Sequence, residues 1–183
     1  MKNFLILIIL LCLSLNMFSQ NQLTIGQSYQ GGKIAYILKP GDTGYDSKVQ
    51  HGLIAAPKDQ ASGSSWGCHG NVIIGADGTA IGTGNKNTID IMAKCSTAGI
   101  AARMCGDLVL GGYSDWYLPS KDELNQLYIN RIAIGGFSNT DYRSSSEYSN
   151  YTSWGQYFDN GTQYYNNSKE YYDYFNVRAV RSF

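Results

Sequence analysis

Cys68 and His69 are neighbours in the run Trp66-Gly67-Cys68-His69-Gly70, the one place in this sequence where a cysteine adjoins a histidine. Thiol–imidazole catalysis needs the two groups held in a fixed hydrogen-bonding geometry, which adjacent residues of a Gly/Ser-rich loop do not provide. The pair is therefore read as structural. A zinc site is no better supported, because there is no Cys-x-x-Cys and His51 and His69 make no ligand spacing. Gly82-Thr83-Gly84 is not a phosphate loop, since no strand leads into it and no Lys-Ser/Thr follows. Asp115, Glu123, Glu147, Asp159 and Asn160 carry oxygens suited to calcium, but the Glu-Pro-Asn and Trp-Asn-Asp signatures of calcium-dependent sugar sites are missing. Asp115 and Glu123 are better explained by loop and cap hydrogen bonds. The expectation is a non-enzyme with no cofactor and no metal ligands.

The chemistry that remains is recognition. Nine of the 15 tyrosines lie beyond Ser138, interleaved with Asn139, Asn150, Asn160, Asn166, Asn167 and Asn176 among Ser and Asp. Tyrosine offers a large rigid contact area at small entropic cost, and Asn, Ser and Gly adapt their hydrogen bonds around it. The plain alternative is that β-strands favour tyrosine and bury alternate rings, as expected for Trp154 and Phe158 on a shared face. However, Tyr164-Tyr165-Asn166-Asn167 and Tyr171-Tyr172-Asp173-Tyr174 contain neighbours that cannot all face one core, because successive strand residues point to opposite sides. The candidate ligand-binding residues are Tyr148, Tyr151, Trp154, Tyr157, Asn160, Tyr164, Tyr165, Asn166, Tyr171, Tyr172 and Tyr174, within a Tyr/Asn-rich region at about 139–176. An exposed aromatic face with amide and hydroxyl neighbours suits stacking on sugar rings or gripping a protein surface.

The elements that must position these residues are legible in part. Ile25–Tyr29 and Lys33–Leu38 make a strand pair around Gly31-Gly32, and His51–Ala56 makes a third strand closed by Pro57. Residues 60–86 read as a long surface loop with a short apolar run, Val72-Ile73-Ile74. A helix is expected from Asn87, with Thr88, Ile89, Ile91, Met92 and Cys95 inward, then a second helical piece over Ile100–Leu108 with Cys105 as a small buried thiol. Trp116–Leu118 reads as a short buried strand stopped by Pro119. Ser120 and Glu123 have capping-box spacing, so a helix begins at Lys121 and runs to Asn130. Leu124, Leu127 and Tyr128 form its inner face, with Lys121, Asp122, Asn125 and Gln126 outward. Ile132–Phe137 reads as a short loop and strand. The strands expected beyond it are Arg143–Glu147, Ser153–Phe158, Thr162–Asn166 and Tyr174–Val180, with a hairpin at Asn160-Gly161.

Three motifs together, Gly112–Leu124 (GYSDWYLPSKDEL), Ser144–Glu147 (SSSE) and Val177–Phe183 (VRAVRSF), resemble the C-terminal domain family of Legionella collagen-like protein, Lcl. The resemblance covers residues from about Gly31 to Phe183. It implies a fold similar to C-type lectins and, more distantly, to formylglycine-generating enzymes, and therefore a binding module. The copper-dependent chemistry of those enzymes needs a cysteine pair late in the chain, and nothing after Cys105 supplies one. The implied architecture is α+β and C-type-lectin-like: a twisted antiparallel sheet with two main helices and long loops. The implied partner is a glycan or a surface protein. Likeness to a glycosaminoglycan-binding adhesin extends this to sulfated polysaccharide, which Arg181 would meet if it did not, like Arg178, fix the final strand. C-type-lectin-like proteins also include targets of diversity-generating retroelements, whose variable regions accumulate Asn, Tyr, Ser and Asp. Tyr148–Asn176 resembles such a region. A structural surface protein, or a relative of the formylglycine enzymes without catalytic residues, is the alternative.

Residues 1–19 have the form of a secretion signal: Lys2, an apolar run over Phe4–Leu15 that is short for a bilayer span, and Ser19 before the cleavage point. Cys12 falls inside it, and Leu11 before it does not suit a lipoprotein site. Residues 20–183 are then one domain, secreted or displayed at the cell surface, with no membrane span after cleavage. Lys+Arg and Asp+Glu balance at 14 each, so no basic field draws the chain to nucleic acid. Export favours a disulfide among Cys68, Cys95 and Cys105. Cys68–Cys95 is the preferred pair, and pairs that use Cys105 stay open.

Overall fold

The computed structural model describes residues 22–170 and 175–183, so the expected leader and Tyr171, Tyr172 and Tyr174 lie outside the described residues. In chain order the strands are β1 (Ser28–Tyr29), β2 (Gly32–Ile37), β3 (Gly52–Ala55), β4 (Asp141–Glu147), β5 (Thr152–Tyr157), β6 (Gln163–Ser168), β7 (Phe175–Asn176) and β8 (Val180–Ser182). The helices are α1 (Gly84–Lys94), α2 (Ala101–Gly106), α3 (Lys121–Ile129) and α4 (Arg131–Ile134). The class is α+β, and its strands divide between two four-stranded sheets, β1-β2-β3-β8 and β6-β5-β4-β7.

In the first sheet, β1 and β2 join through Gln30 and Gly31, both at positive φ (43° and 87°), the turn geometry that matches strand twist. Strand β3 is buried along its whole length, as expected of a central strand covered on both faces. Leu53 and Ala55 pack with Leu124, Leu127 and Tyr142 on one side, while Ile54 packs with Ala101, Cys105 and Trp116 on the other. Helices α3 and α2 thus cover opposite faces of this sheet. Burial pushes the Cys105 thiol well above its ordinary range, in keeping with an inert core residue.

The second sheet is antiparallel except where β7 runs parallel to β4. Its β5–β6 turn forms at Asn160-Gly161: Asn160 Oδ1 accepts the Thr162 N–H (2.8 Å) and Gly161 sits at φ 83°. Strand β5 lies along α3 in register. Trp154 meets Lys121, Gln156 Nε2 donates to Asn125 Oδ1 (2.8 Å), and Phe158 packs edge-on against Tyr128. Residues two apart on the strand therefore meet helix positions 121, 125 and 128, one helical stripe. Lys121 and Asn125 consequently face the sheet, contrary to the outward positions expected of them; α3 presents one stripe to each sheet.

The structure revises other local expectations. Helix α1 starts at Gly84 rather than Asn87, and its inner stripe is Asn87, Thr88 and Ile91, which leaves Ile89 58 % exposed on the outside. Trp116–Leu118 is buried but bridges the sheet only at Tyr117, opposite Val180. Where a strand was expected after Ile132, α4 ends at Ile134 and two glycines at positive φ, Gly135 and Gly136, turn the chain. The expected strand Tyr174–Val180 is split: β7 joins the second sheet and β8 the first, with Val177 bridged to Ala61 between them. Arg178, at this crossing, bonds Asp59 Oδ1 (2.6 Å), and Asp59 Oδ2 accepts from Tyr142 Oη (2.8 Å) and Asn176 Nδ2 (2.9 Å).

The capping box on α3 forms as expected, with Ser120 Oγ accepting the Glu123 N–H and Glu123 Oε2 accepting the Ser120 N–H. Glu123 also serves α1, since Oε1 accepts the Gly82 N–H (2.8 Å) just ahead of that helix. A carboxylate at two helix N-termini is favoured by both dipoles, against the burial that raises its pKa. Gly84 makes this approach possible: a Cβ there would lie 2.2 Å from Glu123 Oε2 and 2.7 Å from the Ser120 backbone nitrogen. Gly84→Ala is expected to destabilise the fold by about 1–3 kcal/mol, the usual cost of overpacking, read as a lower urea midpoint. An unchanged midpoint would show that the two helix starts are not locked together.

Candidate functional site

Strands β4, β5 and β6 carry the candidate tyrosines to both faces of the second sheet. On the face shared with α3, Tyr148 at the end of β4, Trp154 on β5 and Tyr165 on β6 form a three-ring cluster. Ring centroids are 4.4 Å apart for Tyr148–Tyr165, 5.7 Å for Tyr148–Trp154 and 5.6 Å for Trp154–Tyr165. The offset and edge-to-face angles are those that aromatic pairs prefer. Tyr148 is 53 % and Tyr165 51 % exposed, with Trp154 half-buried between them. Lys121 places its ammonium 4.9 Å from the Trp154 ring centre, within cation–π reach, and 3.2 Å from Asp122 Oδ1.

The hairpin tip beside this cluster is fixed by a buried ion pair. Glu147, next to Tyr148, accepts the Ile73 N–H and pairs with Lys169 Nζ at 2.5 Å, with the Lys169 side chain fully buried. Lys169 Nζ also donates to the Asn71 carbonyl (2.9 Å) and lies over the Trp66 ring (4.7 Å). Burial pulls the ammonium below the usual lysine range, and Glu147 opposes that shift. Loop 66–76 is tied from its other side by the Cys68–Cys95 disulfide, so a Cys68 thiol is not available to His69. His69 instead packs at a tilt against exposed Tyr151 (5.1 Å between ring centres, planes 57° apart) with Glu170 3.7 Å away.

The opposite face holds the second group of tyrosines. Tyr157 and Tyr164 stack at 4.2 Å. The Tyr164 hydroxyl is buried near the Asp141 carboxyl, and burial followed by that charge raises the phenol far above its ordinary range. Tyr164 is thus half-buried while Tyr165 is open, the alternation expected of neighbours on a strand. Asn160 is exposed at the turn and Asn166 on β6. The structure therefore brings Tyr148, Trp154 and Tyr165 together, sets Tyr151 at the adjoining tip, and places Tyr157, Tyr164 and Asn160 elsewhere.

Lys121 and Glu170 belong to these surroundings and were not singled out from the sequence, whereas His69 was weighed there only as a partner of Cys68 or a metal ligand. Lys121 carried a signal, since the first residue of a helix capped at Ser120 must lie near whatever strand packs on that helix. Three of the four carboxylates weighed for calcium are engaged otherwise: Glu147 with Lys169, Glu123 with backbone, and Asp115 with Arg181 through bonds of 2.7 and 2.8 Å; the fourth, Asp159, is exposed beside the β5–β6 turn. Arg181 is 6 % exposed and lies over Tyr113, so it fixes the last strand and is not turned toward an acidic ligand. Among the described residues, no three His, Cys, Asp or Glu side chains come together as metal ligands. No helix among the described residues is long and apolar enough to cross a membrane.

The family model described as the Lcl C-terminal domain matches residues 56–181, a span that holds all four helices, the second sheet and the aromatic corner. No curated protein matches the chain.

Proposed function

The chain belongs to the Lcl C-terminal domain family, and from that premise we propose that it is an exported binding domain that grips a glycan or a protein surface at the Tyr148–Trp154–Tyr165 corner. The observation that carries this reading is the cluster itself, two tyrosines about half exposed against a tryptophan, with a lysine ammonium over that tryptophan. Rings kept open to water in a packed sheet are costly unless something covers them, and stacked, pre-positioned rings lose little entropy on binding. A pyranose face or an aliphatic side chain suits the ring surfaces, and Lys121 favours an acceptor or anionic group beside them. Catalysis is not part of the proposal, because the titratable groups near the corner are paired structurally.

Binding of the mature domain to a glycan array that includes sulfated polysaccharides, with and without chelator, tests this. Tyr148→Ser/Tyr165→Ser is expected to lose at least tenfold in affinity while chelator leaves binding unchanged. Equal binding by both proteins would put the site elsewhere; loss with chelator would point to a calcium site. Diversification of this surface by a retroelement is a separate proposal. It requires a near-copy of residues 148–176 beside a reverse-transcriptase gene, and it must spare Asn167 and Asn176, which are buried.

A further inference from the structure

A groove of about 280 Å³ opens between the segment Val72-Ile73-Ile74 and the side of α1 that carries Asp90, Ala93 and Lys94, and it shares no residue with the aromatic corner. Ile73 is its floor, 2 % exposed, whereas Val72 and Ile74 on either side are 59 % and 91 % exposed. That alternation is the one an extended segment gives when one of its faces turns inward. Aliphatic side chains left this open beside a concavity mark a place where something apolar docks. The volume suits a short chain, near the lower limit for small-molecule sites.

What docks is decided by charge. Among the described residues the backbone N–H and C=O groups of Val72 and Ile74 have no partner; they are donors and acceptors alike, so the backbone does not choose the sign of a ligand. Asp90 is the one acid in the lining, and it is closed by Lys86 at 2.5 Å. Gly75, at φ 93°, lets that pair lie against the turn: a Cβ there would be 2.4 Å from Asp90 Oδ2. Glu147, behind the floor, holds the Ile73 N–H and is neutralised by Lys169. Asp77, the next acid along the loop, does not line the groove. Lys94 is exposed, and among the described residues no carboxylate stands within ion-pair distance of it. Nor does the end of α1 need it. Arg103 already covers the last carbonyls, donating from Nη2 to Met92 and Cys95 (both 2.8 Å) and from Nε to Cys95 (3.2 Å), so the helix dipole has its cation. The groove is thus aliphatic, with one spare positive charge.

We infer that this groove is a second ligand site, for a short aliphatic chain that ends in a carboxylate. The chain covers Val72, Ile74 and Ala93, and the carboxylate meets the Lys94 ammonium in a charge-assisted hydrogen bond. A chain ending in an ammonium would bring a third cation beside Lys86 and Lys94. A small anion without a chain would leave the aliphatic walls in water.

Titration of the ¹⁵N-labelled full chain with hexanoate, hexanamide, hexylammonium and acetate tests the inference. Saturable amide shifts are expected at Val72, Ile74 and Lys94 with hexanoate. Hexanamide should bind about fivefold more weakly, the upper range for one exposed charge pair, and hexylammonium and acetate should give no saturable shift there. Lys94→Gln is expected to bring hexanoate down to the affinity of hexanamide; the side chain is exposed, so its replacement leaves the core intact. No saturable shift with hexanoate, equal affinity for hexanoate and hexanamide, or equal binding of acetate would overturn the inference, as would hexanoate binding that Lys94→Gln leaves unchanged. The four-ligand comparison uses the unaltered protein and decides the question whatever the variant does.

Discussion

Lys169→Met is expected to lower the free energy of unfolding by about 3–5 kcal/mol, the range for removing one partner of a buried ion pair. The reason is what stays behind. Glu147 is 5 % exposed, and without the ammonium its carboxylate has only the Ile73 N–H to balance a full buried charge. The Asn71 carbonyl also loses its donor. The methionine keeps the packing on Trp66, so the loss is electrostatic in origin. Lys169→Met/Glu147→Gln should recover much of it, because the amide oxygen still accepts from Ile73 and no charge remains. Urea denaturation of the three proteins separates these terms. A single variant within about 1 kcal/mol of the parent, in the range of exposed pairs, would show that the pair is solvated and does not hold the hairpin tip.

Asp59→Ala should cost about 3 kcal/mol, at the low end of the same range because the carboxylate is 17 % exposed. Arg178 is fully buried and its other bonds go to the carbonyls of Ala56, Gly135 and Gly136, none of which neutralises it. Asn176 Nδ2 and Tyr142 Oη lose the acceptor they share. Since Asn176 lies on β7 and Arg178 just before β8, the loss falls where the two sheets are joined. Asp59→Asn, which keeps an acceptor, should cost less than the alanine. Equal costs for the two variants would mean that the shared acceptor contributes nothing, and costs within about 1 kcal/mol of the parent for both would mean that the charge contributes nothing either.

Local signals in the sequence carried over where a short-range rule dictated the outcome. The Ser120–Glu123 box, the Gly31 turn, the Asn160-Gly161 hairpin and the split of Tyr164 from Tyr165 are each fixed by residues within four positions of one another. Reading failed where a long-range partner decided. The phase of α1 follows from Asn87, whose amide donates to the Gly78 carbonyl and to Ser145 Oγ, so a polar residue took the inside and Ile89 the outside. The C-terminal segment looked like one strand because no Gly or Pro interrupts Tyr174–Val180, but Val177 and Val180 bridge different segments, Ala61 and Tyr117. The corner was only half legible for the same reason. Tyrosine enrichment announced a surface, yet which three rings meet depends on the registers β4–β5 and β5–β6, each shifted by an irregularity, and Lys121 arrives from a helix.

The central claim is that ligand is held at the Tyr148–Trp154–Tyr165 corner, and the three tryptophans make it directly testable by indole N–H resonances. Trp66 Nε1 is bonded to the Ser144 carbonyl in the core (2.9 Å) and Trp116 Nε1 to the Leu110 carbonyl (3.3 Å); Trp154 stands alone in the proposed site. On titration with the tightest ligand from the glycan or protein screen, the Trp154 indole signal should shift and saturate while those of Trp66 and Trp116 hold still. Saturable binding that leaves Trp154 unmoved, or that moves Trp116 instead, would contradict the assignment.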